Sequence, residues 1–335
     1  MSIETALERR AGAGDRGAQI ALARAYETAA RHDLARGWFA RAAKDGDTAA
    51  LRLLAVNLLT CEPLAVRDGL GMIQEAAGRG DADALHLCAV LAAQDTQLPA
   101  RWNVARDYLQ RAARAGHAGA AAQLALLGAD LARHAAAPPA KSAHDSPRIR
   151  IIEGFASAAE CDWLIALARP SLKPAEVYDP AGRGGLTAQA IRNNSAAGFN
   201  IAQSDVVLCL MRERIAQATA LSTDTMEPAM VLHYETGQQF APHYDFIDPD
   251  VPQLRPDIAR RGQRVATFLL YLSDTHEGGE TEFTDLDWRH RGAKGDALMF
   301  WNVGPDGAPD RGTRHAGLAP TRGEKWLLSQ WIRAR

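Results

Sequence analysis

No stretch of this 335-residue sequence is long and apolar enough to cross a bilayer; the longest, such as Val265 to Leu272, fall far short of the ~20 residues that a spanning helix needs. The opening Met1-Ser2-Ile3-Glu4-Thr5 has neither the basic stretch nor the apolar core of a secretory leader, so none is expected. Basic charge is not in surplus: 38 Lys and Arg stand against 40 Asp and Glu. A protein whose main task is to neutralise nucleic-acid phosphates usually carries such a surplus, so nucleic acid is not the expected partner. Cysteine is scarce. Cys61, Cys88, Cys161 and Cys209 stand far apart with no C-x-x-C pair, which excludes an evident disulfide scaffold and leads to the expectation of a reduced, cytoplasmic protein.

The first 132 residues have few β-branched residues and are rich in alanine, leucine and arginine, a composition that favours helix. Within them Arg41-Ala42-Ala43-Lys44-Asp45-Gly46, Glu75-Ala76-Ala77-Gly78-Arg79-Gly80 and Arg111-Ala112-Ala113-Arg114-Ala115-Gly116 share an Ala-Ala-x-x-Gly ending, with glycines 34 and 36 residues apart. Gly14, 32 residues before Gly46, closes a degenerate first copy. Such a period indicates helix-turn-helix repeats stacked into a short solenoid. Alanines let paired helices approach closely, and a glycine just past a helix adopts the left-handed cap without a Cβ penalty. Leu34, Trp38 and Phe39, and later Val104, Tyr108 and Leu109, are read as the apolar stripes. The pattern resembles Sel1-like repeats, relatives of the tetratricopeptide family, over residues 14 to 130. That resemblance implies protein binding and no chemistry.

Ala135 to Arg148 holds three prolines and no periodicity, the mark of a linker. The expected division is therefore a helical repeat domain over 1–134, a linker over 135–148 and a second domain over 149–335. In the latter, Ile149 to Phe155 reads as a strand and Ser157 to Leu167 as a helix with a serine cap and a glutamate three residues on. A second helix is expected over Ile201 to Ala220. After Pro228 come strand-like runs from Met230, over Val265 to Leu272, Ala297 to Trp301 and Lys325 to Ile332, separated by Gly, Asp and Pro clusters. Together they argue for an antiparallel sandwich or barrel.

Chemistry concentrates in one place. In a strand, residues two apart project to the same face, so His243-x-Asp245 would point an imidazole and a carboxylate into one pocket. His315, near a turn before the last strand, is the best distant third group. Two histidines and one carboxylate form the facial triad that holds non-haem Fe(II) while leaving positions open. On the residues alone, His243 and Asp245 also read as a surface hydrogen-bonded pair, and His315 as a turn cap.

The surrounding blocks resemble the prolyl 4-hydroxylase branch of the 2-oxoglutarate- and Fe(II)-dependent dioxygenases. They are Tyr234-x-x-Gly237-Gln238-x-Phe240-x-x-His243-x-Asp245, Thr267 to Leu272, Glu277-Gly278-Gly279-Glu280-Thr281-Glu282-Phe283, Gly295 to Phe300, and His315-Ala316-Gly317-x-x-Pro320-x-x-Gly323-x-Lys325-Trp326. The likeness spans residues 149 to 333. It implies an α+β multidomain chain, a repeat solenoid followed by a double-stranded β-helix (jelly roll) with flanking helices.

The same likeness implies iron ligands at His243, Asp245 and His315, and a 2-oxoglutarate carboxylate partner at Lys325. It also implies cosubstrate hydrogen bonds from Tyr234 and Thr267. Fe(II), 2-oxoglutarate and dioxygen would be required, with ascorbate as an accessory. An alanine in place of Asp245 would have suggested halogenation. The implied reaction hydroxylates a prolyl residue in a peptide or protein, giving succinate and carbon dioxide. A free amino acid or small molecule is the alternative substrate, and an idle protein-binding module the alternative class.

The solenoid favours a macromolecular partner, recruited by the repeats. Phe283, Trp301, Trp326 and Trp331 are read as core or pocket wall without a catalytic step, and His233 and His276 as exposed or structural. Tyr178 to Ser195, with Arg183, Gly184 and Gly185, and Phe246 to Gly262 are read as mobile loops over the pocket.

Overall fold

The computed structural model describes residues 3–44, 46–98, 101–175 and 192–335. Most of the glycine-rich loop expected between Tyr178 and Ser195, including Arg183, Gly184 and Gly185, lies outside the described residues. The chain forms two compact units, Met1–His134 with Asn200–Leu210, and Ala135–Phe199 with Met211–Arg335.

The first unit is helical: α1 (Ile3–Gly12), α2 (Arg16–Thr28), α3 (His32–Ala43), α4 (Thr48–Thr60), α5 (Val66–Gly78), α6 (Ala82–Gln94), α7 (Arg101–Arg114) and α8 (Ala118–Leu127). The repeat glycines Gly14, Gly46, Gly80 and Gly116 all take left-handed φ values, between 82° and 95°, as the capping argument requires. Each is followed at once by the N-cap of the next helix. Asp15, Asp47 and Asp81 accept the backbone N–H of Ala18, Ala50 and Ala84 at 2.9, 2.8 and 2.8 Å. At the fourth turn His117 Nδ1 does the same for Ala120 at 2.8 Å. A glycine that reverses the chain and a short acceptor that starts the next helix are thus one repeated device.

Phe39 and Leu109 are buried as expected, but Leu34 and Val104 are not. Leu34 is 38% exposed and Val104 is half-buried. The buried positions are Ala35–Phe39–Ala42, Gly69–Ile73–Ala76 and Ala105–Leu109–Ala112, a small–large–small register carried through three repeats. Close helix approach explains the choice. A Cβ on Gly69 would lie 2.8 Å from Leu59 Cγ and 3.0 Å from the Ala55 carbonyl oxygen, so the bulkier neighbour in sequence turns outward.

The second unit is β-rich. Its strands are β1 (Lys141–Asp145), β2 (Arg148–Ile152), β3 (Lys173–Pro174), β4 (Ser195–Gly198), β5 (Met230–Tyr234), β6 (Phe240–His243), β7 (Arg264–Tyr271), β8 (Glu277–Gly278), β9 (Thr281–Phe283), β10 (Trp288–His290), β11 (Ala297–Trp301), β12 (His315–Gly317), β13 (Pro320–Arg322) and β14 (Lys325–Arg333). An eight-stranded sheet runs β1-β2-β11-β7-β14-β5-β4-β3, a four-stranded sheet β10-β9-β12-β6, and β13 pairs with β8. Every pairing among the described strands is antiparallel. Phe283 of the smaller sheet packs into one buried cluster with Leu232, Leu269, Tyr271, Phe300 and Leu327 of the larger, so the two sheets share a core.

The stretch expected as linker carries β1, paired to β2. Its prolines, at 138, 139 and 147, flank the strand and leave the N–H groups of 141–146 free to pair. Helix α9 (Ala158–Ala168) starts where expected, with a full Ser157–Glu160 capping box. Glu160 also accepts from the buried Arg214 at 2.8 Å. Helix α10 (Val206–Thr219) starts later than expected because Asn200 to Ser204 form a turn and Asp205 caps Leu208 at 2.8 Å. The segment Phe246–Gly262, expected to be mobile, contains a short helix, α11 (Arg255–Arg261) with proline in its first turn. No helix among the described residues is long and apolar enough to cross a membrane, and none of the four cysteines is in a disulfide.

Candidate active site

Strands β12 and β6 pair so that His315 stands directly opposite His243. Directly opposed residues on antiparallel strands hold their side chains close together, and Asp245 follows two residues after His243 on the same side. His243 Nε2 lies 3.5 Å from Asp245 Oδ1, and His315 Nε2 lies 3.5 Å from Asp245 Oδ2. One ligand atom from each residue falls within 4.8 Å of the others, and this is the one such cluster among the described residues.

Both imidazoles are turned the same way by their own backbone. His243 Nδ1 donates to the Ala241 carbonyl and His315 Nδ1 to the Thr313 carbonyl, each at 2.9 Å. With the proton held on Nδ1, the Nε2 lone pair is directed at the shared centre, the tautomer a metal requires. Burial, then the neighbouring His243, pulls His315 down to about 4, so its imidazole is neutral near pH 7. Burial opposes ionisation of Asp245, but His315, His243 and Thr267 outweigh it and hold the carboxyl well below the usual range. Two imidazoles presenting Nε2 beside an ionised carboxylate are a donor set fitted to a divalent iron.

Tyr234, Thr281 and Lys325 line the same cavity as the triad. Lys325 opens β14 in register with Tyr234 on β5, and its Nζ lies 5.0 Å from the tyrosine ring centroid. Its side chain is fully buried, and the ammonium has no hydrogen-bond partner among the described residues. Burial pulls this lysine down to about 7. Burial likewise pushes the Tyr234 phenol up to about 12, so it remains a proton donor.

Thr267 is elsewhere. Its hydroxyl donates to Asp245 Oδ2 at 2.7 Å and accepts from Asn302 Nδ2 at 3.0 Å, so its single proton is already committed. Thr281 is the cavity threonine. Its oxygen accepts from the Tyr271 hydroxyl at 3.1 Å, leaving its own proton available. The glycine-rich block contained Thr281, but strand preference alone could not say which of two buried threonines faced the cavity.

Trp331, read as wall or packing, lines the cavity, its indole N–H without a partner and the Arg264 guanidinium 3.6 Å over its ring. The signal was there in period two: Lys325, Leu327, Ser329 and Trp331 all face the cavity from β14. Arg192, to which the sequence reading assigned no role, also lines it, held by Asn194 at 2.9 Å. His233 and His276 are buried: His233 stacks on Trp326 and bonds to Glu324 at 3.1 Å, and neither nitrogen of His276 has a partner.

Residues 229–333 match the 2OG-Fe(II) oxygenase superfamily. The chain is 34% identical over 205 residues to Probable prolyl 4-hydroxylase 3 of Arabidopsis thaliana, covering 56% of this chain and 69% of the relative. It is 34% identical over 203 residues to Prolyl 4-hydroxylase 1 of the same plant, covering 57% and 70%. Among solved structures, the viral collagen prolyl hydroxylase of Paramecium Bursaria Chlorella virus-1 is 29% identical with a TM-score of 0.43, over 56% of this chain and 96% of that one. A Sel1 repeat protein from Oxalobacter formigenes is 21% identical with a TM-score of 0.31, over 36% and 96%. Relatives matched across more than two thirds of their own length share more than a motif, and the chain belongs to the 2OG-Fe(II) oxygenase superfamily, its catalytic domain similar to those of the prolyl 4-hydroxylases.

Proposed function

We propose that this protein hydroxylates a prolyl residue in a peptide or protein, with Fe(II), 2-oxoglutarate and dioxygen, and that ascorbate keeps the iron reduced. The observation that carries the reading is the buried triad, both imidazoles presenting Nε2 to one point, beside a buried ammonium without a hydrogen-bond partner among the described residues. The prolyl 4-hydroxylase relatives support the choice of proline.

Bound iron supplies the oxygen chemistry in which 2-oxoglutarate becomes succinate and carbon dioxide while a substrate C–H becomes C–OH. His243, His315 and Asp245 hold the metal from one side. Lys325 pairs with the distal carboxylate of 2-oxoglutarate; an ammonium desolvated in advance gains strongly from an anion at fixed reach. Thr281, its proton free, donates to the same carboxylate in place of Thr267. Tyr234, protonated and buried, donates from the neighbouring strand.

Shared burial of both sheets supports a jelly roll as the finer description of this unit. The helical repeats support recruitment of a protein substrate by the helical unit, with the chemistry carried by the β-rich unit. Four cysteines outside any disulfide support a cytoplasmic setting.

The test is incubation of the iron-loaded chain with 2-oxoglutarate and proline-rich peptides, reading succinate and a hydroxylation mass shift. Both signals are expected from the parent and absent from His243→Ala. Succinate without modification of any prolyl peptide would remove proline as the substrate, and no succinate at all would remove the oxygenase reading.

A further inference from the structure

The threonine that turned away from the cavity has a place of its own. Thr267 is 1% exposed and Asn302 fully buried. The Asn302 backbone is held on both sides, its N–H donating to the Val265 carbonyl and its carbonyl accepting from Asp310, each at 2.9 Å. Its side-chain amide then donates to Thr267 at 3.0 Å, and Thr267 donates to Asp245 Oδ2 at 2.7 Å. The direction of this chain is forced. The Asn302 amide nitrogen only donates, so the threonine oxygen accepts from it and the hydroxyl proton is left for Asp245 Oδ2. A β-branched side chain in a strand has little χ1 freedom, which fixes where the hydroxyl oxygen sits.

We propose that Thr267, aimed by Asn302, is a positioning residue that holds Asp245 to coordination through a single oxygen. The inference rests on the iron and 2-oxoglutarate reading above. Two imidazoles and one carboxylate oxygen leave three of six octahedral positions, two for the 2-oxo acid and one for dioxygen. A carboxylate free to rotate would bind through both oxygens and take the last of them. A hydroxyl already bonded to Oδ2 opposes that rotation.

The experiment is Co(II) titration of the full-length chain, followed by calorimetry and by the visible d–d absorption, for the parent, Thr267→Val, Thr267→Ser and Asn302→Leu. Loss of a hydrogen-bond partner behind a metal ligand typically costs about 10–100-fold in metal affinity. Thr267→Val, which keeps the shape and removes the proton, is expected to weaken Co(II) binding by about that factor. It should also change the d–d intensity as the carboxylate becomes two-toothed. Thr267→Ser should restore both, and Asn302→Leu should fall between.

Parent-like affinity and spectrum in Thr267→Val would overturn the inference, as would Thr267→Ser behaving like Thr267→Val. If Thr267→Val does not fold, Asn302→Leu against Thr267→Ser carries the same contrast, and Asn302→Leu with a parental spectrum and affinity overturns it. A parent that binds no Co(II) defeats the metal-site reading itself; a binding parent with an indifferent valine variant defeats only this proposal.

Discussion

Lys325 is buried, and among the described residues its ammonium has no hydrogen-bond partner. An ammonium fully buried without a partner is costly, and burial pulls it from its ordinary 10.5 down to about 7. Between those values the unfolded chain holds a proton that the folded chain has lost, so stability gains as pH rises through that window. Cosubstrate binding runs the other way. Below about pH 7 the amine is charged and ready for a carboxylate; above it a proton must be taken up with the ligand. The dissociation constant for 2-oxoglutarate is therefore expected to be flat below pH 7 and to rise about tenfold per pH unit above it, read by calorimetry. The same affinity at pH 6.5 and 8.5 would contradict the pairing. Lys325→Met should abolish 2-oxoglutarate binding yet raise the melting temperature of the ligand-free chain, because it replaces an uncompensated charge by an apolar side chain of similar length. A lower melting temperature would mean that the ammonium already has a stabilising partner.

At the scale of elements, the helical unit repeats one turn: a left-handed glycine followed directly by a capping side chain. Asp81 caps Ala84 at 2.8 Å and also receives Arg52 of α4 at 3.1 Å, tying one repeat to the next. At the following turn the cap is His117, stacked on His86 with ring centroids 4.5 Å apart, so the ion pair gives way to a ring pair. Asp81→Ala is expected to cost about 1 kcal/mol, measured as a lower urea midpoint of the far-UV circular dichroism. An unchanged midpoint would show the cap to be dispensable. Overpacking is the sharper element-level test. Gly69→Leu, with Leu59 and the Ala55 carbonyl already within reach of a Cβ, should cost about 1–3 kcal/mol by the same measurement. In the β-rich unit, strand positions read from the sequence were accurate to about a residue for β7, β11 and β14, because each is a long apolar run bounded by breakers. β1 was missed because its residues are polar and its neighbours are prolines.

At the scale of the whole molecule, the helical unit is not the first 134 residues alone. Asn200–Leu210 belongs to it, and within that unit Gln123 accepts the backbone N–H of Val206 at 2.9 Å. Val206, Val207, Leu208 and Leu210 are buried. Removing residues 1–134 would strip this apolar segment of its packing, so the truncated chain is expected to aggregate or to melt at a lower temperature than the full chain, read by light scattering and calorimetry. A truncated chain as soluble and stable as the parent would show that Asn200–Leu210 does not depend on the repeats.

The sequence by itself determined the two kinds of architecture, the repeat period and the placing of His243 and Asp245 side by side. Those features are written in local chemistry: helix-forming composition, glycine at a fixed interval, and His-x-Asp on one strand face. Only the tertiary structure decided that His315 stands opposite His243, that Thr281 and Trp331 face the cavity while Thr267 backs Asp245, and that Ala35 and Ala105 rather than Leu34 and Val104 turn inward. A strand offers two faces and a helix a full circle. Which side looks onto a cavity or a neighbouring backbone depends on the partner strand, its register and the closeness of the next helix, none of which adjacent residues specify.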